Sequence, residues 1–446
     1  MNRRDFLRRT GMTASALAVS SMMTRTALAA TELDRYFIHV YFEGGWDQLL
    51  ALDPRDPAQF HEGNMVQTGI QPAYDRLPAQ FSRDLLRVGP HTFGPCVGEL
   101  VDVADEINVV RGINMGTLTH EVGRRYFVTG RVPSGLTARG SSVPTLAAAQ
   151  TLLDRPVPHL SHLVENYNVD QPAWAAALPV ASVDHLQYIL QESLGIPTGV
   201  PDSVKDALGA YWSQHRDCRP EAGASASRLA DRFRENRDRA REVVQSNLHR
   251  SFQFAGPETA AVRAHYGLDA AGIESPLGRA ALAAQALKTG LSRVVSVALA
   301  SQLDTHDNTW ANDHSTRLEA GFTALARLIK DLRDSPDPMG QGSLLSKTTI
   351  VVFSEFTRST RLNARNGRDH HLCNSALLVG GGLRRGVRVG ATSDTGMGPL
   401  PINLATGLAD EAGVTLTPEH VLTTALNSAG MSAESLRSEP IPALLP

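Results

Sequence analysis

The chain reads as an α/β protein built on a large, mostly parallel central sheet with helices on both faces. Three observations predict this. Short apolar runs recur at Tyr36–Phe42, Ile107–Val110, Arg293–Ala300, Thr348–Phe353 and Ser375–Val379. Near-continuous apolar strands of this length suit parallel pairing with both faces covered. Helical periodicity lies between the later runs, in Leu277–Leu287 and in His314–Leu332, where Leu318, Phe322, Leu325, Leu328 and Leu332 share one face. Strands and helices therefore alternate along the chain, the pattern of a sheet with helical crossovers.

Each element has a local cause. The first run, Tyr-Phe-Ile-His-Val-Tyr-Phe, is aromatic and β-branched, and Gly44-Gly45 stops it. Residues from about 145 to 270 carry few strand-like runs and read as a helical insertion or cap. Within it, Arg228–Val244 is charged throughout, which suits an exposed helix laced with i,i+4 pairs. The Leu277–Leu287 helix stops at Gly290, and Asn312 or Asp313 suits the N-cap of the helix that follows. Gly380-Gly381-Gly382 ends the fifth strand as a turn, since the Gly-Lys-Ser/Thr of a phosphate loop is missing. Thr417-Pro418-Glu419 starts a last helix, with Thr417 as N-cap and Pro418 at its first position.

Composition excludes several classes. With 446 residues, 42% hydrophobic and 20% charged, the chain can bury a sizeable core, which excludes wholesale disorder. A net charge of −3 lacks the basic excess of a bulk nucleic-acid binder. Three cysteines, Cys96, Cys218 and Cys373, are too few for a disulfide-built scaffold.

The amino terminus reads as an address. Arg3, Arg4, Arg8 and Arg9 form a basic start, an uncharged stretch runs from Gly11 to Thr24, and Ala27-Leu28-Ala29 supplies a small–x–small cleavage pattern. Asn2-Arg3-Arg4-Asp5-Phe6-Leu7-Arg8 resembles the twin-arginine export signal. The expected organisation is a signal peptide over 1–29 and one α/β domain over 30–446. The expected location is the periplasm or the extracellular space, and the twin-arginine translocase is the export partner. No later run is long and apolar enough to span a bilayer.

Polar groups gather where three strand-like runs end. Gly44-Gly45-Trp46-Asp47 follows the first run and brings one carboxylate to its end. Leu303-Asp304-Thr305-His306 follows the third, and Asp and His two apart in extended chain can face one metal ion. Ser354-Glu355-Phe356-Thr357-Arg358 follows the fourth, and Asp369-His370-His371 stands before the fifth. Carboxylates and imidazoles around strand ends are candidates for a shared site.

Taken in order, these blocks resemble the DUF1501 proteins, which recur with Gly-Gly-x-Asp, Trp-Asp-Thr-His, Ser-Glu-Phe-Gly-Arg-Thr and Gly-Arg-Asp-His. Here they read Gly44-Gly45-Trp46-Asp47, Leu303-Asp304-Thr305-His306, Ser354-Glu355-Phe356-Thr357-Arg358-Ser359 and Gly367-Arg368-Asp369-His370. Leu303, Thr357, Ser359 and His371 depart from the usual residues. The family is in turn remotely similar to the alkaline phosphatase and sulfatase superfamily. That resemblance implies one or two divalent metal ions (zinc, manganese or calcium) at the carboxyl edge of the sheet. It implies Asp47, Asp304, His306, Glu355, Asp369 and His370 as metal ligands. It places a nucleophile near Thr119 or His120, at the start of a helix ending in Val128-Thr129-Gly130. Arg124 and Arg358 are candidates to hold the equatorial oxygens of a tetrahedral ester.

The function implied is an exported metal-dependent hydrolase of phosphate or sulfate esters, small or polymeric, attacked by a Thr hydroxyl or a metal-bound water. A non-catalytic exported binding or assembly protein could keep the same fold. A third class, another exported enzyme using the same metal, is narrowed by the lack of Cys-x-x-Cys-His and of a Gly-x-Gly-x-x-Gly helix start.

Overall fold

The computed structural model describes residues 33–152, 155–191, 199–214, 246–269, 272–337, 340 and 342–446. The export signal, the charged stretch 228–244 and Cys218 lie outside the described residues.

Eight strands form one sheet. They are β1 (Tyr36–Phe42), β2 (Ile107–Asn114), β3 (His159–His162), β4 (Leu178–Val180), β5 (Val294–Ala300), β6 (Thr348–Phe353), β7 (Cys373–Gly380) and β8 (Arg388–Val389). Their spatial order is β8-β2-β7-β6-β1-β5-β3-β4. β1 pairs in parallel with β5 and β6, and β5-β3-β4 and β2-β8 are parallel too. β7 alone runs antiparallel, to both β2 and β6. Every residue of β1, β5 and β6 is buried, as expected for strands covered on both sides.

The pleat divides those strands between two cores. Ile38, Val40 and Phe42 of β1, Val295, Val297 and Leu299 of β5, and Ile350 and Val352 of β6 join one core. It includes apolar residues of α3 (Pro276–Lys288) and α4 (Asp313–Asp334). Phe37 and Tyr41, Val294 and Ala298, Val351 and Phe353 join the other. That core includes residues of α1 (His120–Thr129), α2 (Val143–Ala148) and α5 (Pro418–Ser428). In α4 the apolar positions are buried along its 22 residues, with Asp313 in the first turn and Arg333 in the last, each favourable to the helix dipole. Gly321 lets α4 approach the sheet, since a Cβ there would stand 2.7 Å from the Phe42 ring.

The five predicted strands and the helices predicted over Leu277–Leu287, from His314 and from Pro418 all appear, with shifts at their ends. The stretch from 145 to 270 differs from its expectation. It is not helical throughout, because β3 and β4 extend one side of the sheet. Cys96 and Cys373 are buried free thiols. Among the described residues no helix is long and apolar enough to cross a membrane.

Three imidazoles, those of His39, His159 and His162, are fully buried within the sheet. His39 of β1 stacks on Phe353 at 4.4 Å, and His159 of β3 lies 2.9 Å from the Ser296 hydroxyl. Burial pushes His39 down to about 3, helped by His159, and burial also pushes His159 down to about 3. Both are neutral in the fold. The unfolded chain takes up these protons first, near the ordinary value of 6.5. Their contribution to stability is therefore complete above that value and declines as pH falls from there toward the folded values. The urea midpoint is expected to fall between about pH 7 and about pH 5, and His39→Phe, which keeps the stack, to reduce that fall. An unchanged pH slope in the variant would remove His39 as a contributor.

Candidate functional site

β6, β1 and β5 are neighbours that point the same way, so their carboxyl ends open on one edge. Asp47, Asp304 and Glu355 follow those three ends. β7 is antiparallel to β6, with Ala376 opposite Phe353, so the residues before β7 reach the same edge. There His370–His371 pairs antiparallel with Thr357–Arg358, setting His370 opposite Arg358. β2 also ends here, with Asn114 opposite Cys373, and α1 begins soon after it at His120.

Asp304 is the hub. Its Oδ1 lies 2.5 Å from Arg358 Nη2, 2.9 Å from His306 Nε2, 3.3 Å from His120 Nε2 and 3.4 Å from His370 Nε2. Each imidazole is anchored through its other nitrogen. His120 Nδ1 lies 2.7 Å from Glu355 Oε1, His306 Nδ1 lies 2.8 Å from Asp369 Oδ1, and His370 Nδ1 donates to the Leu118 carbonyl at 2.6 Å. Asn363 Nδ2 donates to the same Asp369 oxygen at 3.0 Å. The Phe356 ring packs 4.7 Å from His120 and 4.5 Å from His370. One donor atom each from His120, Asp304 and His370 lie within 4.8 Å of one another, and this trio could hold a metal ion.

Glu355 is buried, and its Oε1 also accepts the Gly44 N–H at 2.9 Å. That contact needs the left-handed turn at Gly44, where φ is +109° and a Cβ would stand 2.6 Å from the Leu303 nitrogen. Arg358 is fully buried, donates from Nε to the Gly45 carbonyl at 3.0 Å, and from Nη2 also to the Gly44 carbonyl.

The ionisations follow from these contacts. Burial would raise the Asp304 carboxyl, but the Arg358 hydrogen bond and charge hold it well below the usual carboxylate range. Burial is the largest influence on Glu355 and opposes its ionisation, but the His120 hydrogen bond and charge together with backbone N–H bonds leave Glu355 lowered. Burial is the largest influence on His120 and works to lower it, yet the Glu355 bond and the charges of Glu355 and Asp304 together raise it. His370 is lowered, chiefly by burial.

Some of the implied residues stand apart from the hub. Asp47 is not in the trio. It is fully buried and forms an ion pair with Arg368 at 2.9 Å. Its Oδ2 accepts from the Trp310 indole at 2.8 Å, and its Oδ1 accepts from the Leu49 nitrogen at 2.9 Å. Arg368 lies over the Trp310 ring at 4.7 Å and donates to the Gln71 carbonyl at 2.6 Å. Asp47 is therefore surrounded by protein partners. Arg124 donates to Glu165 at 2.6 Å, so its guanidinium is paired away from the hub. Thr119 is the exposed N-cap of α1, and its hydroxyl makes no capping bond. Glu355 and Asp369 contact imidazoles, where the resemblance had them as ligands. The Leu118 carbonyl was outside sequence reasoning, because a backbone acceptor carries no residue signature. Arg368 belongs to the Gly367-Arg368-Asp369-His370 block, and its position beside Asp369-His370 is the one sequence signal for its role.

The Asp47–Arg368 pair predicts a stability effect. Arg368→Met leaves a buried carboxylate without its cation and is expected to cost about 3–5 kcal/mol in urea unfolding. A cost below about 1 kcal/mol would mean that Asp47 does not depend on this pair.

No curated protein matches the chain. Among solved structures, Ps i-CgsB is similar at 9% identity and TM-score 0.37, covering 92% of this chain and 75% of that one. The same protein in complex with k-i-k-neocarrahexaose gives 9% identity and TM-score 0.36 at the same coverage. A protein in the alkaline phosphatase superfamily from Vibrio parahaemolyticus gives 9% identity and TM-score 0.35, covering 82% of this chain and 64% of that one. A family model described as "Protein of unknown function (DUF1501)" matches residues 34–404, most of the length, and the chain belongs to that family.

Proposed function

We propose that the chain is an exported, divalent-metal-dependent hydrolase of phosphate or sulfate esters. The observation that supports this reading best is the convergence of His120, His306 and His370 on Asp304 at the carboxyl edge of the sheet. Two imidazoles and a carboxylate of the trio fit a divalent cation, and His120 Nε2 is a buried nitrogen without a hydrogen bond. A cation held there supplies positive charge to a tetrahedral, doubly or singly charged ester group.

The chain's own groups take the remaining roles. Arg358 is fully buried, with its nitrogens on the Gly44, Gly45 and Arg368 carbonyls and on Asp304, so it holds the Asp304 carboxylate in place and offsets its charge. The amino end of the 10-residue α1 favours negative charge at the same edge. The exposed Thr119 hydroxyl or a water provides the attacking oxygen. Attack at phosphorus or sulfur forms the new bond and breaks the bond to the ester oxygen, which takes up the proton lost by the attacking oxygen and leaves as an alcohol; where Thr119 attacks, a water then cleaves the Thr ester to release phosphate or sulfate and restore the hydroxyl. One observation favours the alternative of a binding protein without turnover: Asp47 and Arg124 are both committed to internal pairs.

Two measurements test the reading. The mature protein, assayed with p-nitrophenyl phosphate, bis-p-nitrophenyl phosphate and p-nitrophenyl sulfate, is expected to hydrolyse at least one. Chelation is expected to abolish the activity, and Arg358→Lys to lower kcat/KM about 10²-fold. Absence of turnover on all three, with metal supplied, selects the binding reading. For export, replacing Arg3 and Arg4 together by Lys is expected to hold the precursor in the cytoplasm, seen by cell fractionation. Unimpaired export of that variant would exclude the twin-arginine route.

A further inference from the structure

We infer that His120, Asp304 and His370 make a single three-donor centre for a borderline transition-metal dication such as zinc, in which His120 is a ligand through Nε2 and not the reacting group. This rests on the metal-dependent reading above and narrows it to one ion and one set of atoms.

The tautomers carry the argument. A carbonyl oxygen only accepts, so the 2.6 Å contact with the Leu118 carbonyl places the proton of His370 on Nδ1. Its Nε2 then presents a lone pair. His120 Nδ1 lies 2.7 Å from the buried Glu355 carboxylate, which also accepts the Gly44 N–H. Nδ1 is the donor there as well, and Nε2 is the nitrogen turned toward Asp304. That Nε2 is buried and makes no hydrogen bond, although Asp304 Oδ1 is only 3.3 Å away. Two imidazole lone pairs and a carboxylate oxygen thus face one another within 4.8 Å, an arrangement that a cation relieves.

The surroundings match what holds metal-binding imidazoles in place. Ligating histidines characteristically give their second N–H to a carboxylate or a backbone carbonyl, and here Glu355 and Leu118 are those acceptors. Arg358 on Asp304 is the matching contact to the ligating carboxylate. Two nitrogens and one oxygen suit zinc, manganese, iron or cobalt over calcium and magnesium, which take all-oxygen sets. Three protein donors leave a coordination position open, as in catalytic and not structural centres. Asp47, paired with Arg368, supplies no donor for a second ion. His306 borders the centre, its Nε2 3.1 Å from His370 Nε2, and lies outside the trio.

The test uses metal content and spectroscopy, independent of turnover. The mature protein is stripped, dialysed against Zn²⁺ or Co²⁺, and read by elemental mass spectrometry and visible absorption. About one equivalent is expected, with intense low-symmetry cobalt bands. His120→Gln and His370→Gln are each expected to weaken binding more than about 10-fold, and Glu355→Gln about 10–100-fold. Thr119→Ala is expected to bind as the wild type does. Far-UV circular dichroism verifies that each variant is folded, and His120→Gln keeps a polar side chain of similar reach. Two equivalents, no bound metal, or full affinity in folded His120→Gln would each overturn the inference. Stoichiometric metal without ester hydrolysis keeps this centre and removes the hydrolase reading. Hydrolysis by protein that binds no metal keeps an ester hydrolase, removes its metal dependence and removes the centre.

Discussion

β7 runs antiparallel between β6 and β2, and that reversal decides which parts of the chain meet. In a sheet wound only in parallel, the residues before a strand lie at its amino edge, far from the loops that follow neighbouring strands. Here the residues before β7 arrive at the carboxyl edge, beside the ends of β6 and β1. Asp369 and His370 consequently face Asp304 and His306 across a short gap. The two-residue ladder between Thr357–Arg358 and His370–His371 then fixes their register. Each residue in that ladder is opposed by one partner, so a slip would turn His370 away from the hub.

The hub is supported by a second, deeper layer that has little contact with solvent. The Gly44-Gly45 turn passes close to the Leu303-Asp304 backbone and donates to Glu355, which in turn anchors His120. Arg358 ties the carbonyls of the same turn to Asp304. Below it, Asp47 and Arg368 connect the first strand end to the loop preceding Asp369. The indole of Trp310 donates to Asp47, and the carbonyls of Ser359, Gln71 and Pro72 accept from the terminal nitrogens of Arg368, which holds this buried ion pair in position. The imidazoles at the edge are thus oriented by groups that are themselves fixed, which is what a precise binding or reactive centre requires.

The charge balance of the edge has a direction. Asp304, Asp369 and Glu355 bring negative charge, and Arg358 alone among the contacting side chains is a permanent cation. Three histidines whose second nitrogens are already engaged leave lone pairs or protons pointing inward. Such a centre suits a positive ion more than a bare anion.

Much of the architecture was legible in sequence because it depends on local patterning. Continuous apolar runs mark strands buried on both faces, and β1 and β6 were bounded correctly from composition alone. The helix from Asp313 to Asp334 announced itself by the spacing of its leucines. The strands His159–His162 and Leu178–Val180 at one side of the sheet did not, being only 4 and 3 residues long and too short or too polar to show a period. The motif blocks placed acids and imidazoles at strand ends, but a carboxylate looks the same in sequence whether its partner is a metal, an imidazole or an arginine. Asp47 meets Arg368, Glu355 meets His120, and Arg124 meets Glu165 across 41 to 321 residues, and only packing determines those pairings. Sequence by itself determined the α/β alternation and the residue types at the carboxyl edge, through hydrophobic period and turn chemistry. The tertiary structure decided which of them converge on Asp304, because partner choice is set by the three-dimensional reach and desolvation of side chains distant in the chain.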